Sequence, residues 1–96
     1  MRDYKTSVLF EKKIKKLKGK ELKNLLNKID DIISSETLNQ YKNLKYDLSK
    51  YKRVHVNNSY VILFFGDDKI VYFVDYEHHD KIYKTNFKKY KSLDFD

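Results

Sequence analysis

Two arginines and three histidines are the side chains of this 96-residue chain best suited to phosphate and proton chemistry. Arg53 and His55 stand two apart in the alternating stretch KRVHVN, residues 52–57. In a strand, residues two apart share one face at about 7 Å. That spacing brings to one surface a guanidinium fork that grips phosphate and an imidazole that titrates near pH ~6.5. Solvated polar residues on an open strand face have the same pattern, so spacing alone leaves both readings standing. His78 and His79 lie in VDYEHHDKIY, residues 74–83, between Glu77 and Asp80. In an extended chain adjacent side chains point to opposite faces, and zinc takes three or four ligands. A metal site is therefore not expected there, although one of the two rings can share the surface of His55. The chain has no Cys, which excludes disulfides, thiolate nucleophiles and thiolate metal sites. Its Ser residues fall at helix ends, in loops and in the tail, where a serine nucleophile is not expected. With only Gly19 and Gly66, no glycine-rich phosphate loop exists.

The elements that must position these side chains follow from periodicity. Residues 3–6 suit a short first strand. Ser7 is a plausible N-cap, and Phe10, Ile14 and Leu17 recur at helical spacing up to Gly19. Leu22, Leu25, Leu26, Ile29, Ile32 and Ile33 predict a second helix over 20–34, so the two form an αα-hairpin. Residues 35–50 read as a connection pinned by Leu38, Leu44 and Leu48. Three strands follow, 52–57, 60–65 and 70–76, with turns at Asn57-Asn58-Ser59 and Gly66-Asp67-Asp68. Tyr83, Phe87 and Tyr90 suggest a short C-terminal helix. The expected fold is α+β, in the order β-α-α-β-β-β, with a helical hairpin on a small antiparallel sheet. The two central strands are apolar on both faces, so the face opposite the hairpin needs cover from the tail, residues 84–96, or from a partner.

Length suits one domain over 1–96 with a modest core. Hydrophobic content of 41% and nine Tyr with six Phe exclude a disordered tail. No apolar run approaches the ~20 residues that span a bilayer, and no signal-peptide core follows Met1, so a cytoplasmic protein without membrane partners is expected. Net charge is +7. It is concentrated in residues 1–53, which carry 15 Lys/Arg against 7 Asp/Glu, while residues 54–96 carry 6 against 7. A polyanion or acidic partner fits that surface, although solvated helix lysines alone produce the same count.

The order of a short strand, a Lys-rich helical hairpin, YKRVHV, SYVILFF, the turn GDDK, IVYFVDY and a closing HHDKIY resembles the RelE/ParE superfamily of toxin–antitoxin toxins, nearest its RelE branch. The similarity spans residues 3–83 and rests on the order of these segments, no one of which is diagnostic. It implies a toxin that enters the ribosomal A site and cuts mRNA, and a cognate RelB-like antitoxin that wraps and blocks it. It implies a reaction without cofactor or metal, in which the RNA 2′-OH attacks the adjacent phosphate. On that pattern Arg53 holds the phosphate, His55 is a base, and His79 is an acid or phosphate contact. Tyr83 stacks on a base or orients the hydroxyl. Lys52 and Lys81 are accessory cations, and Lys12, Lys16 and Lys23 hold ribosomal RNA. Two positions depart from the pattern: Val61 and His79 stand where many members have Arg. The alternatives are a ParE-like inhibitor of DNA gyrase without catalysis, and a decayed toxin that only binds nucleic acid.

Overall fold

A computed structural model describes residues 1–44, 50–82 and 94–95, with Tyr83 and Lys84 described by backbone alone. Leu48, the Tyr83 side chain, and Phe87 and Tyr90 with the C-terminal helix expected on them lie outside these residues. Strand β1 (Asp3–Thr6) leads into α1 (Val8–Ile14) and α2 (Gly19–Ser34). A 3-10 turn (Leu38–Gln40) and a two-residue strand β2 (Lys42–Asn43) follow. Then come β3 (Lys52–Val56), β4 (Tyr60–Gly66), β5 (Ile70–His78) and α3 (His79–Lys84). The five strands form one sheet in the order β1-β5-β4-β3-β2. Strands β3, β4 and β5 make the expected antiparallel meander, while β1 lies parallel to β5.

Local chemistry explains the boundaries. Ser7 caps α1 by accepting from the Phe10 N–H at 2.9 Å, and its hydroxyl donates to the Val74 carbonyl at 2.6 Å. Gly19 turns the chain between the helices at φ 60°, in the region that favours glycine. Asn57 and Asn58, at φ 52° and 62°, supply the paired left-handed conformations of a tight hairpin turn. Gly66 is required by close approach, because a Cβ there would run into the Ile70 carbonyl.

Arg2 is a structural clamp. Its Nε donates to the Asp67 carbonyl at 2.8 Å, and its guanidinium also meets the carbonyls of Ser35 and Glu36. One side chain thus ties the chain start, the end of α2 and the β4–β5 turn together.

Two clusters sandwich the sheet. On the hairpin side, Phe10, Leu25, Ile29, Ile32 and Ile33 pack on Val56, Ile62, Phe64, Val71, Phe73 and Tyr76. On the other side, Leu44, Tyr51, Val61, Leu63, Val74 and Ile82 form a second core with Leu9, Phe65 and Phe95 at its margin. Phe95 sets its ring edge-on to Tyr72 and Phe65, at 5.3 and 6.1 Å between centroids, so the end of the tail covers part of this face. No helix among the described residues is long and apolar enough to cross a membrane.

One irregularity sets the faces of β5. Leu63 pairs with Asp75, but Phe64 pairs with Phe73, leaving Val74 as an extra residue in a bulge. Val71 and Phe73 therefore face the hairpin before the bulge, and Tyr76 faces it after. Val74 turns to the second core, and Asp75 and Glu77 sit in register with Leu63 and Val61 of that core.

Candidate functional site

The β3–β4–β5 register builds a two-row surface on the face away from the hairpin. Arg53, Leu63 and Asp75 are aligned across the strands, and His55, Val61 and Glu77 form the next row. Leu63 and Val61 are fully buried, so the rows carry ionisable groups at both ends and an apolar centre. His55 is exposed, as β2 pairs only with Lys52 and Arg53 and leaves the rest of that edge open.

α3 closes one end of this surface. The chain leaves β5 at His78, and helix α3 starts at His79 with Asp80 in its first turn, where a carboxylate favours helix formation. This corrects the expectation of an extended chain through both histidines. Their rings do not point apart; they stack at 4.8 Å between centroids with 21° between planes. The His79 backbone N–H and ring Nδ1 both lie on the Ser59 carbonyl, at 2.8 and 3.0 Å. A carbonyl only accepts, so Nδ1 carries the hydrogen and Nε2 is the ring's other binding atom. His79 is thereby held 6.0 Å from His55, centroid to centroid.

Electrostatics divide the surface. Partial burial, then the positive charge of Arg53, then His79 and Lys42, hold the His55 pKa below the usual histidine value. His55 is accordingly neutral at neutral pH, with a lone pair available to take a proton. At the β5 side, Lys13 reaches from α1 to Asp75 at 2.7 Å and Glu77 at 3.0 Å. Asp75 is fully buried, and its Oδ1 also accepts the Tyr76 N–H at 2.8 Å. Burial works to lower the Lys13 pKa, but the two carboxylates outweigh it and leave it above its ordinary value. Burial works to raise the Glu77 pKa, and the His78 N–H and Lys13 more than offset that, so Glu77 stays ionised.

The structure brings Arg53, His55 and His79 together, with Lys81 exposed on the first turn of α3. Lys52 belongs elsewhere. It alternates to the hairpin side of β3, where its Nζ donates to Asn43 at 2.7 Å. Lys12, Lys16 and Lys23 are exposed on the helical hairpin. The Lys13–Asp75–Glu77 group was not anticipated. An Asp inside the apolar run of β5 signals a buried charge in need of a partner, but nothing in the sequence points to a lysine 62 residues away. One atom each from His78, His79 and Asp80 lie within 4.8 Å of one another, so these three are the residues able to hold a metal ion among those described.

The chain resembles known proteins in sequence and in fold. The chain is 43% identical over 74 residues to a Methanocaldococcus jannaschii protein named "Putative toxin RelE4", covering 75% of this chain and 77% of that one. It is 45% identical over 76 residues to an uncharacterized protein of Methanosarcina mazei, covering 77% and 85% respectively. The crystal structure of YafQ from E. coli strain BL21(DE3) superposes with a TM-score of 0.69 at 19% identity. That match covers 86% of this chain and 99% of YafQ, a likeness of fold. No family model matches the sequence.

Proposed function

Because the chain belongs to the RelE family of toxins, we propose that it is a ribosome-dependent mRNA endoribonuclease of a type II toxin–antitoxin system, acting in the cytoplasm and neutralised by a cognate RelB-like antitoxin. The observation that carries this reading is the pair of imidazoles 6.0 Å apart on the face that also bears Arg53. Cleavage by the RNA's own 2′-OH asks the protein for a base, an acid and a cation, with no protein nucleophile. Neutral His55 takes the 2′-OH proton. The oxygen attacks the adjacent phosphorus, and the Arg53 fork neutralises the phosphorane. His79, when protonated on Nε2 as well as Nδ1, delivers the Nε2 proton to the leaving 5′-oxygen, giving a 2′,3′-cyclic phosphate and a 5′-OH. Tyr83, which follows on α3, stacks on a base or orients the hydroxyl. Lys81 adds charge at the rim, and Lys12, Lys16 and Lys23 hold ribosomal RNA through its phosphates.

Expression of the chain alone and with its neighbouring gene, with mRNA 5′ ends mapped in each case, tests the reading. Expected are cuts within translated messages that vanish when the neighbour is present. Intact messages and unaffected growth would sink it.

Val61 gives the ParE-like alternative its support. The residue where many RelE-type toxins carry an arginine is here fully buried between His55 and Glu77, so one phosphate cation of the pattern is missing. A supercoiling assay with purified protein separates the two: inhibited gyrase with uncut message favours the alternative.

A further inference from the structure

His78, His79 and Asp80 each bring one potential ligand atom within 4.8 Å of the others. In His79, Nδ1 is committed as a donor to the Ser59 carbonyl, which leaves Nε2 with its lone pair in the neutral ring. That nitrogen lies 3.0 Å from Asp80 Oδ1. His78 Nδ1 accepts only a long 3.2 Å bond from the Asp80 N–H and lies 3.8 Å from Asp80 Oδ2. The His79 lone pair and an Asp80 oxygen thus face each other with no hydrogen between them in the neutral state, and His78 Nδ1, held only by the Asp80 N–H, lies within 4.8 Å of both. Acceptor against acceptor is repulsive until a positive charge sits between them, and a shared proton or a metal ion fills that need.

We propose that His78, His79 and Asp80 form a binding site for a divalent transition metal of the zinc or nickel class, completed by water. Imidazole nitrogens select such ions over Mg²⁺ and Ca²⁺, which prefer all-oxygen sets. Two histidines and one carboxylate with an open position is a donor set that zinc accepts. The Ser59 carbonyl supplies the second-sphere hydrogen bond that fixes a ligating histidine's tautomer and orientation. The stacked rings of His78 and His79 and the backbone bond of His79 to Ser59 hold the nitrogens near one another before any ion arrives. The site is partly exposed, so entry needs no opening of the fold. A bound ion takes the Nε2 lone pair of His79 and removes that ring from proton transfer. This last consequence alone rests on the nuclease reading above; binding does not.

Calorimetric titration of the tag-free full chain with ZnCl₂, in buffer free of chelator, measures the site directly. One saturable Zn²⁺ per chain in the micromolar range is expected, with Mg²⁺ unable to compete. His78→Ala and Asp80→Asn each weaken binding at least about tenfold. Nitrogen-15 spectra of the wild-type rings provide a check that needs no variant: Zn²⁺ shifts the ring signals of His78 and His79 together. Absence of saturable binding, full affinity in both variants, or ring shifts confined to His55 would each overturn the proposal and leave the shared proton as the only bridge. Failure of cleavage by the metal-free chain, with zinc binding intact in the titration, would count against the nuclease reading and not against the site.

Discussion

His55 owes its low proton affinity first to partial burial and then to Arg53, its neighbour along β3. Replacing that cation changes two observables in opposite senses. In Arg53→Gln, the His55 titration midpoint, followed by ring NMR in the presence of a chelator, moves up. Cleavage by the same variant drops by roughly 10²–10³, the usual loss for one preorganised charge. A variant with unchanged His55 titration would show that Arg53 does not face the ring. Lys13 offers the second test at this scale. Asp75 is fully buried and Lys13 is mostly so, and stripping the partner from a buried charge costs about 3–5 kcal/mol. Lys13→Met therefore destabilises by about 3 kcal/mol in urea unfolding, and adding Asp75→Asn recovers part of the loss. The sign with pH follows from the raised Lys13 pKa. Its stabilisation is complete below the ordinary lysine value of 10.5 and fades as pH rises through the folded-state value, a decline that Lys13→Met lacks.

Among the elements, the β3–β4 hairpin turn does more than reverse the chain. Asn57 donates to the Glu21 carbonyl at 2.9 Å and to the Tyr76 hydroxyl at 3.1 Å, and accepts from Asn24 at 2.9 Å. Burial, set against the Asn57 bond and reinforced by Glu21, pushes the Tyr76 pKa up to about 12. The turn is thus stapled to α2 and, through Ser59, carries the carbonyl that orients His79. Asn57→Ala loses these bonds and strains a left-handed position, costing about 2 kcal/mol. Asn57→Gly keeps the backbone and recovers part of that by thermal melting. Much of this frame was legible in the sequence: the Ser7 cap, the helical repeat of α2, the Asn-Asn turn and the three long strands all follow from local rules. Three things were not. The start of α3 at His79 was hidden because an EHHD segment has no apolar period. The bulge at Val74 breaks the alternation that assigns faces. The Lys13–Asp75 bond joins residues that only the fold makes neighbours. So Arg53 and His55 could be placed on one face by spacing, whereas the stacking of His78 on His79 and the side taken by Glu77 could not.

At the scale of the whole molecule, charge is partitioned between layers. Exposed lysines such as Lys12, Lys16 and Lys23 lie on the helical hairpin, while the candidate site lies on the opposite face of the sheet. On the proposed function, polyanion grip and chemistry are therefore separable. Replacing these three lysines by Gln flattens the plot of log binding constant for ribosomes against log salt by about 2, at roughly 0.7 per lost RNA phosphate contact. Cleavage of message already bound should persist. An unchanged slope would remove these lysines from the contact. On the same proposal, an antitoxin that covers the sheet face, part of which Phe95 already occupies, would be enough to silence the chemistry.

The bulge in β5 gives the strand a parity. Because Val74 is one residue too many for its partner, everything from Asp75 onward has exchanged sides relative to a regular strand. The strand therefore holds one spare residue. In a genetic selection that scores toxicity, removal of the Val74 codon leaves regular alternation from Phe73 into Asp75, with Tyr76 still in the core and Glu77 still on the other face, so this deletion keeps toxicity, whereas removal of one codon from the regularly paired part of β4 loses it. Many single substitutions at the half-exposed Tyr72 would pass. A map of tolerated indels along this strand reads the bulge without a structure.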